Sequence, residues 1–283
     1  MSDKLSYTFA GTRFNFFCDD EILRSPRFAA FESEADSAEL NEINITVRRG
    51  ALPPLGKPDI MRGIREFFTS GENFTVASSY FDGKTKSGRR FSVCKKINGG
   101  EYTVTLSPET EMRCTVLFDA LPYSEIMLLG GAPIMHASFV TIGSEALLFT
   151  GASGAGKTTQ ARLWQKHASA KIINGDRTAV RITDGRAAAC GVPFSGSSGI
   201  ALNASAPIKA IVFPVHSSEN KAVEMSAGEG AKYLAGNFTY LPQSRKSSDA
   251  LWDFIGEAAP KLRFIRLFCT PDGRAVSALE KLL

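Results

Sequence analysis

Cysteine is scarce in this chain of 283 residues: Cys18, Cys94, Cys114, Cys190 and Cys269 are odd in number, far apart and form no C-x-x-C pair. That pattern excludes a disulfide framework and predicts reduced, mostly buried thiols in a cytoplasmic protein. Long apolar runs are missing as well, none approaching the roughly 20 residues of a membrane span. The start, Met1-Ser2-Asp3-Lys4, lacks the apolar core of a signal peptide, so neither export nor a membrane partner is expected. No internal repeat is present. Charge of one sign is nearly absent: 33 basic against 29 acidic side chains leave a net +4. Residues 1 to 118 carry 16 of each, whereas residues 119 to 283 carry 17 basic and 13 acidic, so the whole surplus lies in the second part. Such a bias suits a polyphosphate ligand or an acidic partner and does not call for nucleic acid. What remains, 43% hydrophobic and 22% charged, is the composition of a soluble globular protein with one large or two medium domains.

Against this plain background one stretch stands out. Gly151-Ala152-Ser153-Gly154-Ala155-Gly156-Lys157-Thr158 satisfies G-x-x-x-x-G-K-[ST], the phosphate-binding P-loop, at every fixed position. The apolar run Ala146 to Thr150 before it reads as a buried strand, and Thr158 to Ala168 after it reads as a helix. Strand, glycine-rich turn, helix is the context in which successive backbone N–H groups and a helix start converge on phosphate oxygens. Gly151, Ser153, Gly154, Ala155, Gly156, Lys157, Thr158 and Thr159 are therefore the expected nucleotide-binding residues. Lys157 would reach the β- and γ-phosphates, with the Thr158 hydroxyl on Mg²⁺. With the site empty, this lysine is expected to be solvated.

Residues 1 to 118 read as a β-rich region of unknown role. Leu5 to Ala10 and Arg13 to Cys18 flank Gly11-Thr12 as a hairpin, and Ile43 to Val47 alternates with period two. Further strand signals occur at Phe74 to Ala77, Phe91 to Lys95, Tyr102 to Leu106 and Thr115 to Phe118, while Asp59 to Ser70 reads as a short helix. Lys84, Lys86, Arg89, Arg90, Lys95 and Lys96 resemble a nucleic-acid patch superficially, but Asp82-Gly83 and Ser87-Gly88 favour a solvated hairpin with charged edges. Residues 119 to 283 form the second expected domain. Pro122 to Leu129 is helix-like, and Met135 to Ile142 is a strand with His136 and Ser138 on one face. Gly143-Ser144 turns it straight into the P-loop strand, which gives that strand an antiparallel neighbour. Lys171 to Asp176 is a strand ending in a carboxylate and is expected beside the P-loop strand. Ser226 and Glu229 form a capping box for a helix through Ala235. His167 and His216 read as surface residues.

The motifs of the common P-loop classes are missing. Asn220-Lys221-Ala222-Val223 lacks the aspartate of N-K-x-D, and Ser195 to Gly199 does not match L-S-G-G-Q. The run His136-Ala-Ser-Phe-Val, hairpin, Gly151 to Thr158, helix, Ile172-Ile-Asn-Gly-Asp176 instead resembles the nucleotide-binding core shared by HPr kinase/phosphorylase and the phosphoenolpyruvate carboxykinases. It is more particularly similar to the HPr-kinase-related serine kinases, over about residues 133 to 215. The resemblance implies an α/β fold with a mixed β-sheet P-loop core, ATP and Mg²⁺ as cofactors, and a kinase. It places His136 beside the phosphates or the metal, Lys157 and Thr158 in their P-loop roles, and Asp176 as metal ligand or base. Where that family has an acidic pair, this chain reads Asp176-Arg177, and Gly191-Val-Pro-Phe-Ser-Gly stands in place of an arginine-containing signature.

From the residues alone, phosphoryl transfer needs a phosphate cradle, Mg²⁺ and a carboxylate near the nucleophile. Asp176 completes that kit, and its bland alternative is a strand-end turn cap. Arg177 either stabilises transferring phosphate or pairs with Asp176, and His136 is a site residue or a satisfied polar residue on a strand. The expected activity is transfer of the γ-phosphate to a hydroxyl, serine of a protein or peptide acceptor. A non-catalytic nucleotide-binding regulator and a small-molecule phosphotransferase of carboxykinase type are the alternatives. An oligomer is compatible with the sequence. The Ser195 to Gly199 loop is expected near the P-loop, as an acceptor-side lining or a mobile segment.

Overall fold

The computed structural model describes residues 3–33, 40–70, 73–81 and 86–283. The chain is a mixed α/β protein of two compact units, Met1–Tyr123 and Ser124–Leu283.

In the first unit, β1 (Asp3–Phe9) and β2 (Thr12–Cys18) form an antiparallel hairpin. Ala10 and Gly11 turn it, both at positive φ, which matches the twist of the two strands, so the turn sits one residue earlier than Gly11-Thr12. A short helix α1 (Pro26–Ala29) follows, and then β3 (Asn41–Arg49), β4 (Ile60–Arg62), β5 (Arg65–Ser70), β6 (Asn73–Phe81), β7 (Lys86–Asn98) and β8 (Glu101–Leu106). The eight strands lie in the order β1-β2-β3-β8-β7-β6-β5-β4. The strand expected over Thr115 to Phe118 is instead part of helix α2 (Cys114–Ala120). Its Phe118 packs against the rings of Tyr7, Phe9, Phe14, Phe16 and Phe28, which explains the helix: one apolar face seals an aromatic core.

The helix expected over Asp59 to Ser70 is instead the β4–β5 pair. Gly63 turns it at φ +54, Phe67 is buried, and the Asp59 carboxylate accepts from the Thr69 amide and hydroxyl at 2.7 and 2.9 Å. Ladder bonds to β6 and burial of Phe67 outweigh a weak helical spacing. Within the basic run, Arg90 pairs with Glu66 and Arg89 with Glu109, so both charges are met by carboxylates of the same unit. Residues 82–85, including Lys84 and Asp82-Gly83, lie outside the described residues.

The second unit is built around β9 (Ile134–Ile142) and β10 (Glu145–Thr150), an antiparallel hairpin turned at Gly143, preceded by α3 (Tyr123–Leu129). Helix α4 (Lys157–His167) follows the glycine-rich loop, and then come β11 (Lys171–Asn174), β12 (Arg177–Thr183) and β13 (Arg186–Gly191). The long β14 (Ser205–His216) pairs with β13 near its start and, in parallel, with β10 and then β16 (Phe264–Cys269). β15 (Lys221–Met225) lies antiparallel on the far side of β16.

Alternation along β10 explains the layers. Leu147 and Phe149 face α4 and α7 (Gly273–Glu280), with Trp164, Val276 and Leu279. Ala146 and Leu148 face the core that holds Leu234 of α5 (Ala227–Ala235) and Leu251, Phe254 and Ile255 of α6 (Arg245–Ala258). A strand buried on both faces must be apolar throughout, as this one is. The capping box at Ser226 and Glu229 is present at the start of α5.

One expectation about the sheet is overturned. The strand leading to Asp176, β11, pairs with β9 and not with the strand before the glycine-rich loop. The tight hairpin gives one flank of β10 to β9, and the parallel β14 takes the other. Asp176 therefore reaches the loop from beyond β9.

Candidate functional site

The loop after β10 owes its shape to glycine. Gly151, Gly154 and Gly156 stand at φ +143, +79 and +93, a region that L side chains rarely adopt. A Cβ on Gly154 or Gly156 would meet no atom within 4 Å, so it is backbone geometry and not crowding that requires these glycines. Gly156 caps α4 with no side-chain hydrogen bond, which leaves the first amides of the helix without a capping side chain. At the root of the loop, the Thr150 hydroxyl donates to the carbonyl of His136 at 2.8 Å and locks the loop's origin to β9.

Lys157 is not solvated, contrary to expectation. It is 8% exposed, and its Nζ donates to the carbonyls of Gly151 and Ala152 at 2.9 and 3.0 Å. The ammonium folds back onto its own loop because those carbonyls are the nearest acceptors to a charge leaving water. Burial pulls the lysine's pKa down, and the negative charge of Asp176 opposes that pull.

Asp176 sits on a turn held by a residue that sequence reasoning missed. Asn174 is fully buried; its Oδ1 accepts from the amides of Asp176 and Arg177, both at 2.9 Å, and its Nδ2 donates to the carbonyls of Val192 and Phe194. The Ser138 hydroxyl donates to the Gly175 carbonyl at 2.8 Å. An asparagine at a strand end is the available signal, since its side chain can mimic a backbone turn. Asn174→Ala is expected to lower the free energy of unfolding by about 1–3 kcal/mol, because buried donors and acceptors lose their partners. A urea titration of parent and variant measures it; equal midpoints would deny Asn174 this role.

The Asp176 carboxylate collects hydrogen-bond and charge partners. Oδ1 accepts from His136 Nε2 at 2.8 Å, and Oδ2 lies 3.5 Å from Arg177 Nε. The hydrogen bond from His136 is the main cause that holds this carboxyl below its ordinary pKa. The charges of Arg177 and Lys157 add to it against a desolvation that works the other way. His136 and Arg177 are cross-strand partners in the β9–β12 ladder, which is why the two side chains flank one carboxylate.

The geometry thus brings Lys157, Asp176, His136 and Arg177 together. Ser153, Thr158 and Thr159 are exposed on the loop and the first turn of α4, and Ala155 is half-buried. The Ser195 to Gly199 loop lies over the same turn: a Cβ on Gly196 would come within 2.5 Å of Asp176 Oδ2, and one on Gly175 would strike the Ser198 side chain. His216, read as a surface residue, is exposed but hydrogen-bonded through Nε2 to the Gly154 carbonyl at 2.9 Å. His167 packs on Gly273, where a groove of about 1030 Å³ lies at the opposite end of α4 from the glycine-rich loop.

Chemically, this is an open backbone cradle with a cation folded into it and an ionised carboxylate beside it. The fit to a nucleotide and Mg²⁺ is good on that ground: the uncapped helix start and positive-φ glycines suit phosphate oxygens. Mg²⁺ typically takes only one or two carboxylates besides phosphate and water. Among the described residues no cluster of three or more His, Cys, Asp or Glu could hold a metal by itself. All five cysteines are buried and outside any disulfide, and among the described residues no helix is long and apolar enough to cross a membrane.

No protein-family model matches the chain, and no curated protein matches it. Among solved structures, the HPr(Ser) kinase/phosphatase from Coxiella burnetii matches at 7% identity, over 53% of this chain and 95% of that chain, with a TM-score of 0.29. At that overlap the likeness assigns neither a family nor an activity, and the functional reading rests on the residues themselves.

Proposed function

We propose that the second unit is a cytoplasmic ATP- and Mg²⁺-dependent kinase that transfers the γ-phosphate to a hydroxyl, serine of a protein or peptide. The observation that carries this reading is the meeting of Lys157 and the Asp176 carboxylate at a glycine-rich loop that opens a helix. The amides from Ser153 to Thr159 and the Lys157 ammonium would hold the phosphates, and Thr158 with Asp176 would hold the cation. Bound MgATP supplies the transferable phosphoryl group and neutralises its charge. Asp176, held ionised well below neutrality by His136 and its cationic neighbours, suits a cation better than it suits a proton, since an effective base titrates near the working pH. Proton removal from the acceptor then falls to His136, whose ring the same carboxylate orients through Nε2. The acceptor would approach past Gly196, which lies against Asp176.

One observation favours a second reading. Arg177 stands 3.5 Å from Asp176, where the acidic pair of the resembling family has its second carboxylate, so it already neutralises part of the charge a cation would need. In that reading the unit binds nucleotide without transferring phosphate and acts as a regulator. Single-turnover assays with γ-labelled ATP, Mg²⁺ and serine-containing protein and peptide acceptors separate the two. Label on an acceptor hydroxyl, found by mass spectrometry, is the expected result. Normal MgATP binding with no transfer to any acceptor supports the regulator, and no binding at all removes both readings.

A further inference from the structure

We propose that His216 is a positioning residue for the glycine-rich loop: it grips the Gly154 carbonyl from outside and so holds the loop's amides in the shape a phosphate group meets. The inference rests on the nucleotide reading above for its functional consequence, and on geometry alone for the grip itself.

The strand phase puts His216 there. Along β14, Ala210 and Val212 face the core shared with α4, and residue 216 is in the same phase at the strand's carboxyl end. Its register partner on the parallel β16 is Cys269, which shares that phase with Ile265 and Leu267. Both strand ends reach the loop-and-helix unit. His216 Nε2 lies 2.9 Å from the Gly154 carbonyl, and Cys269 Sγ accepts from the Nε2 of Gln160, in the first turn of α4, at 3.2 Å. A carbonyl only accepts, so the His216 imidazole carries its hydrogen on Nε2.

The grip falls where the loop is least constrained from within. Gly154 is at φ +79 with open space around its Cα, and a glycine backbone has the most conformational freedom to lose. In a trans peptide the C=O and N–H point in opposite directions, so fixing one fixes the other. With the Gly154 carbonyl turned out to His216, the amide of Ala155 turns inward and donates to the Ala152 carbonyl at 3.2 Å. His216 is exposed and adds little to the core, so its conservation of loop shape is separable from stability.

The test compares parent, His216→Ala and His216→Gln, the last keeping an N–H donor. Calorimetric MgATP affinity is expected to fall about three- to tenfold in His216→Ala, the worth of one neutral hydrogen bond, and to return to within about twofold of the parent in His216→Gln. The loss should fall on KM for ATP and not on kcat, and Ala155 amide hydrogen exchange in the ligand-free protein should quicken in the alanine variant alone. Affinity in His216→Ala within about twofold of the parent, or equal losses in both variants, overturns the proposal. A parent that binds no MgATP refutes the nucleotide reading instead. The exchange rates then decide the grip: faster exchange in the alanine variant alone upholds it, and unchanged exchange overturns it.

Discussion

Asp176→Asn should slow phosphoryl transfer by about a hundredfold or more, with MgATP affinity changed far less. The substitution keeps size and hydrogen-bonding capacity but removes the charge that faces Lys157, Arg177 and His136. It would deprive the proposed cation of its carboxylate and leave the His136 ring a neutral amide in place of the charged partner now 2.8 Å away. The affinity is spared because, in the proposed site, the loop amides and Lys157 would supply most phosphate contacts. Arg177→Asp is the complementary variant. If Arg177 silences the parent by occupying the place of a second carboxylate, the aspartate raises turnover; if it acts on the phosphates, turnover falls. Single-turnover rates with γ-labelled ATP measure both, and an unchanged rate in Asp176→Asn would remove Asp176 from the chemistry. A stability signature accompanies the first variant. Because the folded-state pKa of Asp176 is depressed, its contribution to stability is present above the ordinary carboxylate pKa and is lost as pH falls through the depressed value. Asp176→Asn should therefore flatten the acid limb of the stability–pH curve, read from urea midpoints between neutral and acid pH.

Lys157→Ala should weaken MgATP binding by about thirty- to a hundredfold, the worth of hydrogen bonds from a charged group to phosphate. A second effect follows from its buried position. Its ammonium donates to the carbonyls of Gly151 and Ala152, so the variant also leaves those acceptors to find water. A loss of about 1 kcal/mol of stability is expected beside the loss of affinity. Calorimetry measures the binding and a denaturant titration the stability. Equal affinity in variant and parent would refute the phosphate-binding role of the loop.

Much of the second unit is legible residue by residue. The β9–β10 hairpin follows from Gly143-Ser144 between two apolar runs, and the start of α5 follows from the Ser226–Glu229 box, because each is a contact between near neighbours in the chain. The glycines at 151, 154 and 156 likewise declare a backbone that only glycine adopts cheaply. Reading fails where partners come from far away. Asp59 to Ser70 carries a weak helical spacing, yet β6 supplies a ladder that the spacing cannot reveal. Asn174 looks like an ordinary strand-end asparagine until Val192 and Phe194 arrive to accept its amide hydrogens. His216 lies 62 residues from the carbonyl it holds, and nothing local marks it.

The sequence by itself therefore settles the local devices: the glycine-rich turn, the carboxylate at the end of a strand, and the histidine on a neighbouring strand. Their meeting is a matter of tertiary structure. Asp176 comes to Lys157 only because β9 and β14 occupy both flanks of β10, which forces β11 outward and brings Asp176 in past His136. The desolvation that lowers the Lys157 pKa and the charge cluster that lowers that of Asp176 exist only once those strands are packed. Local backbone preference is written in single residues, whereas electrostatic environment is a property of everything the fold brings within a few ångströms.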